Sequence, residues 1–68
     1  REGCVAIIAD LIREGRLAPE WSESEAVDMF WTTMSFQTWE QLTVGCGWSI
    51  AQYTRWMEIV LIRAFVKV

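Results

Sequence analysis

The chain has 68 residues and a formal charge of −3, with nine acidic side chains against six basic ones. That length bounds it to one small domain with a modest core, and scattered, outnumbered basic residues argue against nucleic-acid binding by this segment, which needs a basic patch. There is no histidine, and Cys4 and Cys46 are far apart in sequence, so no metal and no cofactor is expected.

Hydrophobic residues make up 53% of the chain, and five of them are tryptophans, a high share for a soluble domain. So much apolar surface on so little volume predicts a surface that stays adhesive in a monomer. With both cysteines read as free thiols, the staple a small scaffold needs is expected to be a partner chain or the remainder of a longer one. No membrane span is expected, because the most apolar stretch, Trp56 to Val68, is broken by Glu58, Arg63 and Lys67. No secretory pattern opens the chain, and the expected location is cytoplasmic. An opening Arg1 in place of Met fits a processed or truncated piece of something longer.

Three helical segments, over about 3–14, 23–43 and 50–66, account for nearly every residue. In the first, Cys4, Val5, Ile8, Leu11 and Ile12 recur at the spacing of one helical face, and Gly15 stands where a left-handed residue ends a helix. The connection carries Pro19, which disfavours a helical Ala18. Ser22 and Glu25 then form a capping box, with Trp21 before the cap in the position of a hydrophobic staple.

In the second segment Val27, Phe30, Trp31, Met34, Thr38 and Leu42 make the main stripe. Met29 and Phe36 lie nearly opposite, with Trp39 between. Gly45 and Gly47 can take positive φ and stop this helix, and Ser49 with Gln52 caps the next. There Ile50, Tyr53, Met57, Val60, Leu61 and Ala64 line one side while Ile59, Ile62 and Val66 lie across. Helices apolar on two sides are sandwiched, and three helices cannot cover both sides of two long ones.

The motifs with a chemical reading are few. "VGCGWS" lacks the third glycine of a dinucleotide fingerprint and the lysine of a phosphate loop, and it follows a helix, so it is a corner between helices. Cys46 has no histidine to activate it as a nucleophile. Glu20, Glu23, Glu25 and Asp28 cluster where acids favour a helix N-terminus. No constellation supports an enzyme. The aromatic and methionine stripe leaves two readings open, plain core or the wall of a pocket between helices.

From Gly15 onward the sequence resembles the C-terminal end of TetR-family transcriptional regulators. The features that carry the resemblance are Gly15, Leu17 and Pro19 before a capped helix, Ala26 to Trp31 followed by Ser35, and then Gly47-Trp48-Ser49 with Tyr53, Trp56, Leu61, Ala64 and Phe65. They span about fifty residues in order, and it is their order and spacing together that carry the resemblance.

The resemblance implies that residues 1–68 are the last part of a ligand-sensing and dimerisation domain. It implies an all-α fold of three helices, the last two long and antiparallel, forming a four-helix bundle with a second chain. The implied function is dimerisation and part of effector binding in a repressor that responds to a small hydrophobic molecule. DNA would be bound only through an N-terminal helix-turn-helix domain that these residues do not contain, and no membrane is involved. The expected pocket wall is Phe30, Trp31, Met34 and Thr38. The expected homodimer interface is Phe36, Trp39, Ile59, Ile62, Arg63 and Val66, although the two faces could be exchanged. The alternative is a stand-alone helical module that binds an amphipathic partner helix.

Overall fold

In the computed structural model, which describes residues 2–68, the chain is all-helical. Helix α1 spans Glu2–Arg13, α2 Glu23–Thr33, α3 Phe36–Glu40 and α4 Ile50–Phe65. A π turn, Gln41–Gly45, continues α3. The three helical segments stand, but the middle one is not a single helix.

The end of α1 follows from Gly15. At φ +69° it reverses the chain, so that Arg16 N–H returns to Leu11 O at 2.8 Å and Gly15 N–H to Ile12 O at 2.9 Å. This pair of bonds is a Schellman ending. Helix α2 begins as the sequence indicates, with Ser22 Oγ accepting from Glu25 N–H at 3.2 Å. The Glu25 carboxylate meets the Ser22 hydroxyl at 2.9 Å, closing the box through side chains.

The expected helix over 23–43 breaks at Met34 and Ser35. Thr32 and Thr33 are β-branched and poor helix formers. The Thr33 hydroxyl donates back to Met29 O at 2.7 Å, a bond that bends helices. Ser35 then takes an extended conformation (φ −67°, ψ 155°) and caps a new helix by accepting from Thr38 N–H. The apolar period runs through this point, but the local hydroxyl chemistry overrides it.

The π turn widens the chain's last coil before the glycines, with Cys46 N–H reaching Gln41 O at 2.9 Å. Of the two glycines expected to stop the helix, Gly47 does so at φ +75°, whereas Gly45 keeps an ordinary negative φ inside the turn. Ser49 caps α4 by accepting from Gln52 N–H at 3.1 Å. The last turn of α4 then returns to the α1–α2 connection, where Leu17 and Val66 form an isolated antiparallel bridge.

The core lies at that return. Ile8 of α1, Ala26 and Val27 of α2, and Phe65 of α4 form one buried cluster, flanked by Leu11, Leu17, Trp21, Phe30 and Leu61. No residue from 28 to 64 is buried. The molecule is correspondingly long, 37 × 23 × 17 Å, with its packing at one end.

Candidate interaction surface

The expected pocket wall is divided by the break in the middle segment. Phe30, half-buried, turns to the core, its ring 5.6 Å from that of Phe65. Trp31 and Met34 are exposed. Met34 is the C-cap residue of α2. The Thr38 hydroxyl is engaged in the joint itself, 3.1 Å from Ser35 Oγ and 3.4 Å from Thr32 O. The four residues therefore do not share one straight helical stripe.

Two open grooves of ≈ 260 and ≈ 320 Å³ lie beside the chain's last residues, and both are lined by Ala18, Pro19 and Lys67. Neither is lined by any of the four expected wall residues.

The expected dimer residues fall into two groups. Phe36 and Trp39 stack with ring centroids 5.6 Å apart, and Phe36 remains 68% exposed. On α4, Ile59 is half-buried, while Ile62 and Arg63 are exposed. Val66 lies beyond the helix end, drawn into the bridge with Leu17. Near these, Ile50, Trp56, Val60 and Val44 are also exposed, and the Arg55 guanidinium lies 5.3 Å over the Trp56 ring. Large apolar side chains are thus exposed along α3, the π turn and α4, with single charges between them.

Chemistry on this surface is limited. Among the described residues no group of three or more potential metal ligands comes together. Cys4 and Cys46 are both free thiols. No helix among the described residues is long and apolar enough to cross a membrane. Among the described residues, Arg13 pairs with Asp10 and Arg16 with Glu14 at exposed positions on α1 and the turn after it.

Trp21 is the residue whose role the sequence conceals. Its position before the Ser22 cap suggests a local staple, but its ring stacks on Phe65 at 4.8 Å. Its indole N–H donates to Ala64 O at 2.8 Å. The partner lies 43 residues away, and no local pattern signals it. The Ser35 cap, by contrast, had a signal in the hydroxyls of Ser35 and Thr38.

No family model matches the chain, and no curated protein or solved structure is significantly similar to it.

Proposed function

We propose that the chain is the dimerisation end of a TetR-like ligand-responsive repressor, with α3, the π turn and α4 meeting the same elements of a second copy in a four-helix arrangement. One observation carries this reading: the stretch from residue 28 to residue 64 has no buried residue, although it holds four of the five tryptophans. The accessible surface is 4987 Å², against about 4,400 Å² from the size scaling of folded monomers at this mass. A standard interface covers about 800 Å² on each partner, so a second copy is the right order of cover for the excess. The arrangement of motifs from Gly15 to Phe65 supports the family.

In this reading Phe30 and Trp31 of α2, Met34 at its C-cap and Thr38 of α3 contribute one wall of the effector site across the break, and the rest of the site is built by parts of the regulator outside residues 1–68. Apolar and aromatic side chains with a few hydroxyls suit a flat hydrophobic effector. DNA contact belongs to a separate basic domain, since this segment carries a net charge of −3.

Sedimentation of the purified chain tests the dimer. Self-association at micromolar concentration, weakened by Ile62→Ala, is expected. A chain that stays monomeric, or that copurifies in fixed ratio with a different protein, overturns the reading in favour of a partner-binding helical module. In the source gene, the segment preceding the codon for Arg1 is expected to encode a basic helix-turn-helix region followed by further helices.

A further inference from the structure

Helix α4 meets the buried core through its C-terminal part, by Leu61, Ala64 and Phe65. Phe65, its final residue, is its one buried side chain. Helix ends leave their last carbonyls without intrahelical partners, and here two of those carbonyls are taken by the α1–α2 connection. Ala64 O accepts from the Trp21 indole at 2.8 Å, and Phe65 O accepts from Ala18 N–H at 2.8 Å. Beyond the helix, Lys67 N–H donates to Arg16 O at 2.6 Å. The Phe65 ring meets Trp21 at 4.8 Å and Phe30 at 5.6 Å.

Phe30, which the regulator reading assigns to the effector wall, is also a neighbour of the residue that fixes the end of α4. We infer that the rings of Phe30, Phe65 and Trp21 couple α2 to α4, so that displacing Phe30 loosens the latch on α4's last turn and resets its exposed face. This deepens, and rests on, the regulator reading, because that reading makes one element the sensor and the other the dimer helix. The coupling itself depends only on the rings and the two carbonyls. Its bistable element is the last turn of α4, held or released, and release is a local opening of the kind that need not melt the rest of the core.

Amide hydrogen exchange on the 68-residue chain tests the coupling with two variants. Trp21→Phe keeps an aromatic ring beside Phe65 but removes the indole N–H together with part of the ring system. Phe30→Leu keeps apolar bulk and removes the ring. Each is expected to lower protection at the Ala18 and Lys67 amides about fivefold, the scale of one neutral hydrogen bond, relative to amides at the centre of α1. The double variant is expected to lose little more than either single one, as for residues acting through a shared partner. Equal loss across α1, or full additivity, overturns the coupling.

Sedimentation of the same proteins separates the two readings. Weaker self-association in Phe30→Leu, which lies off the exposed face of α4, supports the use proposed for the latch. A wild-type chain that stays monomeric overturns the dimer reading, while the exchange result still decides the coupling.

Discussion

Phe65 and Phe36 are the same residue type in opposite circumstances. Phe65 is 2% exposed and touches two other rings. Phe36 is 68% exposed and stacks on its helical neighbour Trp39. The difference belongs to their surroundings: α1, α2 and the end of α4 close on one another around Ile8, Ala26, Val27 and Phe65, whereas α3, the π turn and the first part of α4 hold no buried residue. Stability is therefore set around this cluster, while the proposed association would use the other elements, and the two can be attacked separately.

The largest effect is expected from Phe65→Ala. Truncating a buried phenylalanine costs about 3–5 kcal/mol, and a chain of this length holds about 3–10 kcal/mol in all, so urea denaturation followed by circular dichroism is expected to show a chain at or near unfolding. Gly47→Ala forces a side chain into φ +75° and is expected to lower stability by about 1–2 kcal/mol, while Gly45→Ala, with no such φ, is expected to be neutral or slightly stabilising. Thermal melts of the pair would distinguish them, and equal effects would mean that the turn is not held as described.

Ser35→Ala removes the cap of α3 and is expected to cost about 1 kcal/mol, visible as a small loss of helical signal. Smallest of all in a monomer, Phe36→Ser is expected to shift unfolding by less than about 0.5 kcal/mol and to act on self-association instead. If Phe36→Ser destabilised the fold as much as Phe65→Ala, the contrast between the two phenylalanines would collapse.

Helix starts and stops were legible because they are local. Ser22 and Ser49 each cap the helix that follows, and Gly15 and Gly47 take the positive φ that their positions demand. The break at Ser35 was hidden by an apolar period that runs through it, although the two threonines and the serine carried the physics of the break. The core was legible only in part. Ile8 and Val27 lie on the expected stripes, but nothing near Trp21 in sequence points to Ala64 or Phe65. The division of the wall residues could not be read from helical angles, because those angles assume that one helix runs unbroken from Phe30 to Thr38.

The indole bond from Trp21 to Ala64 spans 43 residues, so it closes a loop of most of the chain. The entropic cost of such closure grows as about 3/2 RT ln n and must be met before any contact at the latch rewards it. Helical turns form in microseconds or less, so α3, the π turn and α4 can wind up early, with their apolar side chains in water and no core beneath them. Closure of the latch is then expected to come late in folding, after a stage in which these apolar side chains are exposed.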